Sequence, residues 1–272
     1  CYPDAAMKYT QKGLDLAAKI PDRKWTALML FYHGYCFYEK RDYKAALEYY
    51  LKAGLIWRKT KEAKLLSECY TNIGIVYWKT SKLKAAQVYY DSAFTINRNI
   101  KDTAAMMRSR NNLAIVYRAE GNYKQALSYY LDVLDYQEQK KNYKKAANVS
   151  LNIGVLQLEM KNYADAETHF LHALDWYIQE KDEKAVLETH NNLGLLYCRQ
   201  ERYEEAIRHY KVAWAGLKKN PDKELEGMIM LNLGSIYKYM KKYDAALIHF
   251  RNALAIHRSI DNTEGIYNSQ YS

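Results

Sequence analysis

Apolar residues recur along the chain at helical spacing, in runs that come in pairs. Tyr70, Ile73, Gly74 and Tyr77 share one helical face, and Ala86, Tyr90, Ala93 and Phe94 share the next. A short polar stretch separates the two runs, with Ser81 in one copy and Gly121-Asn122 in the following one. A second interruption falls at Lys101-Asp102, Lys181-Asp182 and Asn220-Pro221-Asp222. The pattern predicts a helical hairpin, with helices over 64–79 and 83–98 in the second copy. Nothing reads as strand, so the fold class is all-α.

The hairpin repeats. Gly34, Gly74, Gly154, Gly194 and Gly234 stand at multiples of 40 residues, with Ala114 in the remaining slot. At a glycine frequency of roughly 7%, chance fills five of six such slots about once in 10⁵ trials, so the period is real. Ala46, Ala86, Ala126, Ala166, Ala206 and Ala246 keep the same register, as do the aromatics Tyr50, Tyr90, Tyr130, Phe170, Tyr210 and Phe250. A single hairpin cannot bury its apolar face. Six stacked in register form a continuous core with an extended curved surface.

The residues that carry the repeat resemble a known family. Asn72-Ile73-Gly74-Ile75-Val76-Tyr77, followed by Gly121-Asn122-Tyr123-Lys124-Gln125-Ala126 in the next copy, is similar to the tetratricopeptide repeat, in its 40-residue rather than its 34-residue form. That subclass occurs in kinesin light chains, polarity adaptors and the sensor segments of bacterial regulators. The resemblance implies a right-handed α-α superhelical solenoid of stacked helical hairpins that binds proteins or peptides. The expected organisation is one array over 1–272: a partial repeat at 1–20, six repeats at 24–63, 64–103, 104–143, 144–183, 184–223 and 224–263, and a partial repeat at 264–272. Both ends cut through a repeat, which predicts apolar end faces and self-association through them.

Composition narrows the function. With 49% apolar residues the chain can bury a core, and no run approaches eighteen uninterrupted apolar residues, so no membrane span is expected. The net charge of +10 is uneven, because residues 1–136 hold 22 basic and 13 acidic side chains. That half attracts acidic partners, although many of its lysines sit in loops such as Arg58-Lys59-Thr60-Lys61 and form a solvated rim. The 28 tyrosines fill repeat columns such as 43, 123, 163, 203 and 243, which speaks against base stacking and nucleic acid as a partner.

No constellation for catalysis or a cofactor stands out. His169 and His172 have ligand-like spacing, but His169, His209 and His249 occupy the column of Tyr49, Tyr89 and Tyr129 and read as half-buried aromatic substitutes, so no metal is expected. Cys36 and Cys69 are offset by about seven residues, roughly 10 Å along neighbouring helices, too far for a disulfide. Cys1 admits two readings, a lipidated terminus or a segment boundary.

One column exceeds what packing needs. Asn72, Asn112, Asn152, Asn192 and Asn232 stand two positions before each repeat glycine or, at 112, its alanine. Asparagine is a mediocre helix former, and this position lies about 160° around the helix from the glycine. An amide there suits the alternating C=O and N–H of an extended peptide. The resemblance implies that such asparagines line a concave groove and grip a ligand backbone; stacking between repeats is the competing role. Ile75, Ile115 and Leu195 would give the groove an apolar floor, and Lys238 lies on the same face. Arg108 and Arg118 would pair with a ligand carboxylate. The expected function is therefore a non-enzymatic scaffold holding an extended or helical segment with apolar anchors and an acidic group. The alternatives are a sensory segment of a bacterial signalling or transcription regulator, and an oligomerisation module.

Overall fold

A computed structural model describes residues 3–17, 19 and 23–271; Cys1 lies outside them. The described residues form fourteen α-helices. The chain divides into two compact units, 1–133 and 134–272. The first contains α1 (Pro3–Ala17), α2 (Arg23–Glu39), α3 (Tyr43–Lys59), α4 (Ala63–Lys79), α5 (Leu83–Asn99), α6 (Thr103–Ala119) and the start of α7 (Tyr123–Gln139). The second holds α8 (Tyr143–Glu159), α9 (Tyr163–Gln179), α10 (Glu183–Arg199), α11 (Tyr203–Gly216), α12 (Lys223–Tyr239), α13 (Tyr243–Ser259) and α14 (Thr263–Tyr271).

The 40-residue period is two equal halves of 20. Except for α11, every helix from α2 to α13 has 17 residues, followed by a three-residue joint. The joint after α5 shows why. Lys101 takes the left-handed conformation at φ 58°, and Asp102 N donates to Asn97 O at 2.9 Å, which closes the last turn. The Asp102 carboxylate then accepts from Ala105 N at 2.9 Å and caps α6. One residue ends a helix and its neighbour starts the next. Arg41, Lys61, Ser81, Lys141, Lys161, Lys181, Glu201, Lys241 and Asp261 repeat the positive φ, and only position 121 uses glycine.

Position 221 is the exception that tests this rule. Its register demands a positive φ, but it is proline, whose ring holds φ near −65°. The joint cannot close, α11 stops at Gly216, and α12 still begins in register at Lys223.

Wherever a hairpin carries the repeat glycine, at 34, 74, 154, 194 and 234, that glycine receives an aromatic ring of the second helix. A Cβ on Gly74 would lie 2.5 Å from Tyr90 Cε1, and one on Gly154 2.5 Å from Phe170 Cδ1. The ring itself thus lies on the glycine, and Tyr77 stacks on Tyr89 at 5.5 Å on the hairpin flank. The alanine column is closed behind it, with Ala86, Ala126, Ala166 and Ala206 all at 0% exposure.

In the second unit the first helices α8, α10, α12 and α14 touch in succession, while the second helices α9, α11 and α13 approach one another less closely. The first-helix side of this unit is therefore its inner side. Cys36, Cys69 and Cys198 are free thiols, and no helix among the described residues is long and apolar enough to cross a membrane.

Two outcomes follow from these contacts. Gly154→Ala forces Phe170 off its seat and should cost about 1–3 kcal/mol in chemical denaturation. Pro221→Gly should let α11 extend through residues 217–219, read as helical Cα chemical shifts there; unchanged shifts would show that proline is not what ends the helix.

Candidate functional site

The repeat glycine faces the second helix, so the asparagine two positions earlier turns away from that contact. All five asparagines are half-buried. In the first unit Asn72 Nδ2 donates to Glu68 O of its own helix at 2.9 Å. In the second unit Asn232 Nδ2 donates to Asn191 Oδ1 of the preceding first helix at 3.3 Å. These two amides serve the stack. Those of Asn112, Asn152 and Asn192 make no hydrogen bond within the described structure.

The first unit gathers two of the expected residues in one cavity of about 240 Å³ between α4 and α6, where Asn72 and Arg108 share the lining with Glu68, Thr71 and Phe31. Arg108 is exposed and forms no ion pair among the described residues. The cavity floor is a polar tie that the sequence reading missed. Ser67 Oγ donates to Asn97 Oδ1 at 2.7 Å, and Asn97 Nδ2 donates to Ser109 Oγ at 3.3 Å. All three are at most 3% exposed and link α4, α5 and α6. The signal was weak, since the column of Asn97 holds Gln137 and His257 as well as Trp57, Tyr177 and Leu217.

A second cavity, of about 380 Å³, lies between α10, α11 and α12 in the second unit and is lined by Leu195 and Asn232. Neither cavity includes Asn112, Arg118, Ile75 or Ile115, nor Asn152, Asn192 or Lys238. Ile75 is half-buried against a cluster of Ala86, Tyr90, Leu113 and Val116, so it supports the first unit's core as well as its surface. Ile115, Arg118 and Leu195 are half-buried and Lys238 is exposed.

The histidine column pairs within hairpins. His169 Nδ1 lies 3.2 Å from Ser150 Oγ, His209 Nδ1 lies 2.9 Å from His190 Nδ1, and His249 stacks on Tyr237 at 5.2 Å. Burial lowers the pKa of all three, and burial with the neighbouring His209 lowers His190 to about 4. Among the described residues no three His, Cys, Asp or Glu side chains converge on a metal position.

The tetratricopeptide repeat profile matches residues 25–99, 65–139, 145–219 and 185–259. The chain belongs to the tetratricopeptide repeat family. Solved structures of this architecture superpose on nearly all of it. BtubC (BKLC) from P. vanneervenii is 16% identical with a TM-score of 0.63, covering 96% of this chain and 93% of its own. The apo quorum sensor NprR from B. thuringiensis is 17% identical with a TM-score of 0.72, over 99% and 81%. NprR in complex with its cognate peptide NprX is 20% identical with a TM-score of 0.64, over 92% and 73%. At these identities the likeness establishes the repeat fold. No match was found among curated proteins.

The histidine pair sets an acid limit. A histidine held neutral in the fold takes up its proton more readily when unfolded, so His190 contributes stability above pH 6.5 that is lost as pH falls towards about 4. The carboxylates of Asp182 and Asp222, lowered by Lys144 and by the Leu225 amide with Lys184, act only below their ordinary value of 3.8. Methionine stands at the equivalent position 230. His190→Met should therefore lessen the fall in Tm between pH 7 and 4.5 by about 2–4 °C or more, the shift that ~1 kcal/mol gives in a chain of this size.

Proposed function

We propose that this chain is a non-enzymatic scaffold that holds a peptide or protein segment against the surface of its first helices. The observation that carries the reading is the set of half-buried asparagines at 112, 152 and 192, whose amides have no use inside the fold. A mid-helix amide with no internal partner contributes nothing to helix stability. It does offer one acceptor and two donors to an incoming backbone. Arg108, beside Asn72 in the first unit, supplies an unpaired guanidinium for an acidic side chain of the ligand. Ile75, Ile115 and Leu195 offer partly covered apolar surface for its anchors, and Arg118 and Lys238 add positive charge near that face.

The similar structures support this reading, since NprR is described with its cognate peptide and a Rap protein, 13% identical with a TM-score of 0.68, with Competence and Sporulation Factor. A sensory role, in which ligand engagement biases an attached output domain, uses the same face and is favoured by the likeness to the quorum sensor NprR. Self-association through the end repeats would leave the first-helix face unused.

Replacing Asn112, Asn152 and Asn192 together by Ala should weaken capture of the partner at least about tenfold, the equivalent of one or two hydrogen bonds, while helicity and Tm stay within experimental error. Arg108→Ala should add to the loss when the ligand carries an acidic group. A collapse of Tm in the triple variant, or undiminished capture, contradicts the reading.

A further inference from the structure

In the second unit the chain places an apolar surface where its own columns are charged. Ile178, near the end of α9, is 55% exposed, and its column otherwise holds Arg58, Arg98, Glu138, Lys218 and Arg258. Position 216 is Gly, where the other repeats carry Ile56, Ile96, Tyr136, Trp176 and Ile256, and Leu187 packs directly on it. The proline break lies at the same place. α9 and α13 run on to Gln179 and Ser259, whereas α11 ends at Gly216, and Lys219 and Asn220 of the segment that follows stand beside α9 and α10. Between them lies a cleft of about 420 Å³, open to solvent and walled by Ile178, Val186 and Leu187. An isolated exposed isoleucine is ordinary, but one continuous with an apolar cleft under a charged rim has the form of an interaction site.

The charges on that rim are positive. Lys181 and Lys219 line the cleft and are exposed, and neither forms an ion pair among the described residues. Nearby acids are already engaged. Glu183, the one carboxylate in the lining, accepts from Asn220 Nδ2 at 2.5 Å. Asp182 pairs with Lys144 at 2.8 Å, and Asp222 with Lys184 at 2.9 Å. Apolar walls beneath two ammonium groups disfavour a cationic guest and favour one that joins an apolar side chain to carboxylates.

We propose that this cleft docks an acidic segment of a partner protein, with a large apolar side chain such as phenylalanine against Ile178, Val186 and Leu187 and flanking carboxylates on Lys181 and Lys219. The walls supply affinity by removing apolar surface from water. The lysines supply the choice of sign, and their share weakens as salt screens it. None of the five asparagines lines this cleft, so it is a second contact surface, separate from the first-helix face, and either one can fail without the other.

The test titrates the full chain with N-acetyl-Glu-Phe-Glu-amide and follows the backbone amide resonances of Ile178, Lys181, Val186, Leu187 and Lys219. N-acetyl-Glu-Ala-Glu-amide and N-acetyl-Lys-Phe-Lys-amide serve as comparisons, and decanoate represents a lipid source of similar chemistry. The acidic phenylalanine peptide should bind at least about tenfold more tightly than either comparison, the effect of one covered aromatic ring or of two reversed surface charges. Ile178→Glu, which installs the residue found at 138, should abolish the response while Tm stays within experimental error. Lys181→Gln together with Lys219→Gln should bring the preference for the acidic over the lysine peptide down to about threefold or less. No shift of these resonances, equal binding of the three peptides, preference for the lysine peptide, a wild-type response in Ile178→Glu, or an undiminished charge preference in the double lysine variant overturns the docking surface. Tighter binding of decanoate than of the peptide at the same resonances would assign the cleft to a lipid and overturns it too.

Discussion

A ring laid on a glycine sets the rotation of the first helices. The contact is too close for a side chain at that position, so one face of the helix is committed to its hairpin partner. The face two residues earlier is thereby turned outward. Because the glycine recurs at 34, 74, 154, 194 and 234, the outward residues recur with it, and a one-residue slip would bury amides and expose rings. The asparagine column is thus a geometric consequence of packing, while its chemistry is not. Alanine or lysine at those positions would satisfy the same packing with better helix propensity.

Joints of fixed length keep that rotation constant. Each one places a left-handed residue directly before the next N-cap, so no slack accumulates from helix to helix. Lysine in this conformation is less favourable than glycine by an amount that the surrounding hydrogen bonds offset. Where proline occupies the same place, the helix before it gives way and the register of the next helix is preserved. The spacing of helices is therefore held more firmly than the length of any one of them.

Much of the fold was legible in the sequence because periodic columns report periodic contacts. Gly74 and Tyr90, Ala86 and Ala126 identified hairpins and their register without any structure. Their actual contact, ring on glycine, was not legible, since spacing fixes which residues meet but not which atoms. The asparagine column was visible as a departure from helix propensity. What each amide does was not, because Asn72 turns to its own helix while Asn232 reaches the preceding one. Asn97, which shares its column with Gln137 and His257 as well as with Trp57, Tyr177 and Leu217, ties three helices together through Ser67 and Ser109.

The most direct measurement is of the asparagine side-chain amides themselves. With the chain saturated by its captured partner, the Nδ2 proton resonances of Asn112, Asn152 and Asn192 should shift and become protected from solvent exchange, while those of second-helix side chains stay in place. Partner-induced shifts confined to residues of α3, α5, α9, α11 and α13, with the three amides unmoved, would contradict binding along the first helices.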